Sequence, residues 1–155
     1  MPKEEVEILL VEDSPEDVEL TMHALRRAKL VNKIHLARDG EEALDFLFCR
    51  NAYRERAPAP NVRLVLLDLK LPKVDGQEVL RQIKADPSTR SIPVVVLTSS
   101  KEERDLMQSY QLGVNSYIQK PVDFDRFREV IEQIGLYWLV VNEVPPVKPA
   151  AAEAK

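Results

Sequence analysis

Four glycines, two histidines and one cysteine are all that 155 residues hold of three types on which much protein chemistry depends. The lone cysteine, Cys49, excludes an internal disulfide and suits a reducing compartment. It reads as a buried core residue of the second helix. His23 and His35 have no partners at metal-ligand spacing, which argues against a zinc site. Gly40, Gly76, Gly113 and Gly135 lie too far apart to form a glycine-rich loop around a nucleotide phosphate. No apolar run approaches the roughly 18 residues a transmembrane helix needs, and Met1-Pro2-Lys3-Glu4-Glu5 is too charged to open a signal peptide. Positive charge is not in excess either. Lys and Arg total 22 against 26 Asp and Glu, a net charge of -4, so there is no broad basic footprint for nucleic acid. These absences predict a cytoplasmic single domain that partners neither membrane nor nucleic acid.

What the chain does have is regular alternation. Short apolar runs over Val6–Val11, Lys33–Ala37, Val62–Leu67, Ile92–Leu97 and Ser116–Gln119 read as strands. Between them lie helix signals. Ser14-Pro15-Glu16-Asp17 opens a helix reaching about Lys29, and Asp39-Gly40 and Asp75-Gly76 open two more. Ser100 with Glu103 makes a capping box for a helix to about Leu112, and Asp123 starts the last one. Residues Arg50–Asn61 read as a long polar connection. Strict alternation of strand and helix implies a doubly wound α/β fold: a five-stranded parallel sheet with right-handed crossovers and helices on both faces. If the strand order is flavodoxin-like, 2-1-3-4-5, then strands one, three, four and five are neighbours.

Chemistry-bearing residues follow these strands. Glu12 and Asp13 follow the first, Asp68 the third, Thr98 the fourth and Lys120 the fifth. In open parallel sheets, sites form just beyond the carboxyl ends of the strands. Taken singly, each residue has an ordinary reading as a helix cap, a turn or a surface lysine. Taken together, three carboxylates need a compensating cation, and an oxygen-only ligand set suits Mg2+ better than zinc. A hydroxyl and an ammonium beside that cation would receive phosphoryl oxygens, and one carboxylate could serve as nucleophile.

With these residues in view, the chain resembles the receiver domain of two-component response regulators. The pair Glu12-Asp13, the segment Asp68-Leu69-Lys70-Leu71-Pro72-Lys73-Val74-Asp75-Gly76, Thr98 and Lys120-Pro121 stand where that family has them. The resemblance covers roughly Glu5–Val141. It implies a receiver domain over 5–142, with 143–155 as a disordered tail. It implies that Asp68 is the phosphoacceptor, and that Asp13, Asp68 and the backbone carbonyl of Lys70 ligate Mg2+. Glu12 would act through a metal-bound water. Lys120 would pair with Asp68 and then with the phosphoryl group, and Thr98 would bond a phosphoryl oxygen. Tyr117 takes the aromatic switch position, and the Lys120-Pro121 bond would be cis. The implied donor is a sensor histidine kinase. The Val-Glu-Asp-Ser-Pro-Glu-Asp opening, the long 50–61 connection and the lack of an output domain are similar to the small regulators paired with bacterial and cyanobacterial phytochromes. The downstream target is not written in the sequence.

Two rival functions share parts of this pattern. A phosphatase of the haloacid-dehalogenase type also uses a strand-end aspartate, but expects an aspartate two residues later, where this chain has Lys70. A receiver-like module that works without phosphorylation usually lacks a carboxylate, the hydroxyl or the lysine, and all are present. Finally, the last helix carries an apolar stripe at Phe124, Phe127, Ile131, Ile134 and Trp138. The run Leu136–Val141 then offers more apolar surface than one helix can bury against one sheet. Either the chain leaves the helix there and packs back irregularly, or this region is a homodimer surface.

Overall fold

The computed structural model describes residues 7–27, 33–55, 62–99 and 111–135. Five strands, β1 Glu7–Val11, β2 Lys33–Ala37, β3 Val62–Asp68, β4 Val94–Thr98 and β5 Ser116–Gln119, pair in the order β2-β1-β3-β4-β5. Every pairing is parallel. The described α-helices are α1 Pro15–Arg27, α2 Gly40–Phe48, α3 Gly76–Ala85 and α4 Phe124–Gln133. This is the flavodoxin-like arrangement expected from the alternation.

The apolar runs become central strands because both faces of the sheet are covered. Successive side chains along a strand point to opposite faces. Leu9, Val65, Leu67, Val94 and Val96 thus pack with residues of α2 and α3. Ile8, Leu64, Leu66, Val95 and Leu97 pack with Ala24 and Leu25 of α1 and with Phe127 and Ile131 of α4. β3 is buried at every position except Arg63. Three helices begin alike: Asp39, Asp75 and Asp123 accept from the backbone N–H of Glu42, Glu78 and Arg126 at 2.8, 2.9 and 2.7 Å.

Several boundaries differ from expectation. β4 starts at Val94 rather than Ile92, because Pro93 has no N–H to give the ladder, although its carbonyl accepts from Val65 N at 3.0 Å. Cys49 is not a core residue of α2. It is the half-buried C-cap, with φ 57 in the left-handed region. The 50–61 connection opens with a 3-10 turn over Asn51–Tyr53. Its Tyr53 hydroxyl donates to Glu42 at 2.7 Å and meets His35 at 3.1 Å, while the His35 and Phe46 rings stack at 4.0 Å. α4 ends at Gln133, and Gly135 follows at φ 80, the left-handed glycine that commonly stops a helix. The apolar stripe is therefore carried by this helix only as far as Ile131, with Ile134 at its cap. Trp138, the 136–141 run, the 143–155 tail and all but the end of the 100–112 helix lie outside the described residues.

Candidate functional site

The β1–β3 register places the site. Val11 pairs with Leu67, so Glu12 and Asp68 come next on adjacent strands, and Asp68 itself pairs with Leu97 of β4. Thr98 is the residue after Leu97, and Thr98 pairs with Gln119, one before Lys120. The Lys120-Pro121 bond is cis. Glu12, Asp68 and Thr98 are all buried, at 0%, 4% and 2% exposure, so the site is cut into the top of the sheet rather than laid on its surface.

The loop after β3 is held down tightly. Gly76 N donates to the Leu69 carbonyl at 2.9 Å, bringing the start of α3 back onto the end of β3. A Cβ on Gly76 would overlap the Asp68 carbonyl oxygen and the Leu69 Cα. Only glycine lets the two backbones approach this closely. Lys70 N donates to Asp68 Oδ1 at 3.3 Å, which orients the carboxylate.

Glu12, Asp13 and Asp68 each present a carboxylate oxygen, and the three oxygens lie within 4.8 Å of one another. Beside them Lys120 Nζ stands 2.9 Å from Glu12 Oε1, 2.9 Å from Asp17 Oδ2 and 3.4 Å from Asp68 Oδ2. The approach to Glu12 Oε1 is an ion pair without hydrogen-bond direction, so that oxygen is buried without a hydrogen-bond partner. Burial raises the Glu12 carboxyl to about 7, helped by the charge of Asp68 and opposed by Lys120. Burial also raises Asp68, against the pull of Lys120. For Lys120 burial acts to lower the pKa, but Glu12, Asp17 and Asp68 outweigh it and hold the ammonium protonated.

One ammonium faces two buried carboxylates, Glu12 and Asp68, with the exposed Asp13 and half-buried Asp17 beside them, which leaves negative charge uncompensated. An orphaned Glu12 oxygen within a cluster of oxygen donors, with no nitrogen or sulfur ligand among them, fits a hard divalent cation such as Mg2+. The residues present suit that group. They match a receiver in another respect, since the model for the response regulator receiver domain matches residues 8–132.

The chain belongs to the response regulator receiver family. Similar curated proteins include the probable methanogenesis regulatory protein FilR2 of Methanothrix harundinacea, 46% identical over 89% of this chain and 86% of its own. Response regulator Rcp1 of Synechocystis sp. is 42% identical over 89% of this chain and 92% of its own. Among solved structures, the bacteriophytochrome response regulator AtBRR superposes with a TM-score of 0.80 at 52% identity, covering 91% of this chain and all of that one. A Mn2+-bound form of Rcp1 superposes with a TM-score of 0.73 at 39% identity, covering 91% of this chain and 99% of that one. As a receiver domain, the chain belongs to two-component signalling, and its relatives include phytochrome-associated regulators.

Of the residues singled out from sequence, the fold gathers Glu12, Asp13, Asp68 and Lys120 into one cluster, with Thr98 buried at the end of the neighbouring strand. Tyr117 does not join the carboxylates. It is half-buried, packed on the core cluster of the α2 and α3 side, with the Arg126 guanidinium 5.9 Å from its ring centre and bonded to its carbonyl at 3.1 Å. Two contributors were not singled out. In the sequence Gly76 closes the Asp68–Gly76 segment and opens a helix, and Asp17 belongs to the Ser14-Pro15-Glu16-Asp17 helix start and the Val11–Asp17 opening, with no site role given to either. The signal for Asp17 was its place, one helical turn from the Glu12-Asp13 strand end.

Proposed function

We propose that this receiver is a phosphoacceptor switch in which Asp68 takes a phosphoryl group from a sensor histidine kinase. The observation that carries this reading is the packing of three carboxylate oxygens within 4.8 Å of one another, with the Lys120 ammonium 3.4 Å from Asp68. In the transfer, an Asp68 carboxylate oxygen forms a bond to phosphorus as the phosphorus–nitrogen bond of a phosphohistidine breaks. The electron pair stays on the imidazole, which departs neutral when its ring carries a proton. Asp13, Asp68 and the Lys70 carbonyl would hold Mg2+, with Glu12 reaching it through a water. That cation would neutralise charge on the phosphoryl oxygens.

The chain's own residues do the remainder. Lys70 N–H orients Asp68, Lys120 supplies positive charge, and the hydroxyl of the buried Thr98 would bond a phosphoryl oxygen. Contacts made only in the phosphorylated state would shift the population toward it, with Tyr117 reading out the change. With Lys70 where a haloacid-dehalogenase phosphatase needs its general acid, the site accepts and slowly releases one phosphoryl group and does not turn over substrate.

Similarity to the bacteriophytochrome response regulator AtBRR supports a phytochrome-type kinase as donor. Purified kinase bearing labelled phosphohistidine, mixed with this protein and Mg2+, is expected to lose its label to the receiver, and chelation is expected to stop the transfer. Label retained by every cognate kinase in the presence of Mg2+ contradicts the reading. Self-association through the last helix and the apolar 136–141 run is the second part of the proposal. A monomer in sedimentation at high micromolar concentration, phosphorylated or not, refutes that part.

A further inference from the structure

Asp17 stands at the third position of α1, three residues after Ser14, the spacing of a capping box. In a complete box the acid turns back to the N–H of the capping residue. Here only half of the box forms. Asp17 N donates to Ser14 Oγ at 3.3 Å, but Ser14 N donates to Glu12 Oε2 at 3.2 Å. With that N–H taken by Glu12, the Asp17 carboxylate turns to Lys120 and accepts a hydrogen bond from Nζ at 2.9 Å.

We propose that Asp17 is a positioning residue for Lys120, anchoring the ammonium from the α1 side so that its remaining N–H groups face Asp68 and the incoming phosphoryl group. This rests on the phosphoacceptor reading above. Lysine ends a flexible four-carbon stem and carries three donors, so its head group needs a fixed partner to point at one oxygen. Glu12 and Asp68 are poor anchors for that purpose, because both belong to the three-carboxylate cluster that suits a cation. Asp17 lies outside that cluster and keeps its bond to Lys120 when the others are engaged. The contact is sheltered by the lysine, whose side chain is 8% exposed against 31% for the aspartate, whereas in the pairs within single helices, Arg81–Glu78, Arg126–Glu129 and Arg128–Glu132, neither partner is less than 33% exposed.

The test is a double-mutant cycle on the initial rate of phosphorylation by acetyl phosphate at saturating Mg2+, alongside Mg2+ affinity by calorimetry. Asp17→Asn is expected to slow labelling about tenfold, the scale of one hydrogen bond to a charged group. Mg2+ affinity should change less than about twofold. In a Lys120→Gln background, Asp17→Asn should have no further effect. Should the asparagine variant not fold, Asp17→Ser carries the same cycle. An equal loss in both backgrounds would show that Asp17 acts through α1 alone, and overturns the proposal. So does a labelling rate unchanged by Asp17→Asn. A wild-type protein that takes no phosphoryl group instead overturns the phosphoacceptor reading itself.

Discussion

Glu12 and Asp68 lie side by side at the ends of adjacent strands, both buried, and share the single ammonium of Lys120 at 2.9 and 3.4 Å. Without a cation this arrangement is electrostatically unfavourable. Asp68→Asn removes one buried negative charge while keeping the shape of the side chain. It is expected to stabilise the metal-free protein by about 1 kcal/mol, the usual size of a single-residue effect. Thermal unfolding in chelator checks this, and a lower midpoint for the variant would contradict it.

The same strain predicts stabilisation by metal. At free Mg2+ about 100-fold above its dissociation constant, the wild type should gain about 2.7 kcal/mol against unfolding. Asp13→Asn and Asp68→Asn should each lose most of that gain, since each removes a donor from the cluster. Denaturant titrations with and without Mg2+ provide the measurement. An undiminished gain in both variants would place the cation elsewhere.

Gly76 tests how firmly the β3 loop is held. Its Cβ position is already filled by the backbone of Asp68 and Leu69, so Gly76→Ala must push α3 away from the strand end. The expected cost is about 1–3 kcal/mol of stability. Phosphorylation should slow as well, because the displaced backbone carries the Asp68 carboxylate. A variant as stable as wild type, labelled at the same rate, would show that the contact yields easily.

Tyr53 offers a contrast away from the site. Tyr53→Phe keeps the ring packed on Phe46, edge-on at 5.2 Å, but removes the hydroxyl shared with Glu42 and His35. Stability should fall by about 1 kcal/mol, with the phosphorylation rate unchanged. A slowed rate would reveal coupling between this cluster and Asp68.

Much of this architecture was legible in the residue order, for identifiable reasons. The two-sided apolar runs of β1, β3 and β4 could only be central strands. Asp39, Asp75 and Asp123 each sit one residue before the helix they cap. The site was readable because the fold delivers strand ends to one edge, so Glu12, Asp68, Thr98 and Lys120 converge whatever their separation in sequence. What escaped was tertiary in origin. The Asp17–Lys120 bond joins residues 103 apart, and Ser14 N–H, the local partner a capping box would offer Asp17, is taken by Glu12. Cys49 looked like helix interior because cysteine is usually buried, yet it takes a left-handed cap position more usual for glycine. Tyr53 lay in a stretch whose charges and prolines masked one aromatic anchor.

The central claim is that Asp68 carries the phosphoryl group, and intact-protein mass measurement addresses it most directly. After incubation with acetyl phosphate and Mg2+, the wild type should gain a single phosphoryl group, removable by hydroxylamine as an acyl phosphate is. The Asp68→Asn protein should gain none under the same conditions. Stoichiometric labelling of Asp68→Asn would contradict the account.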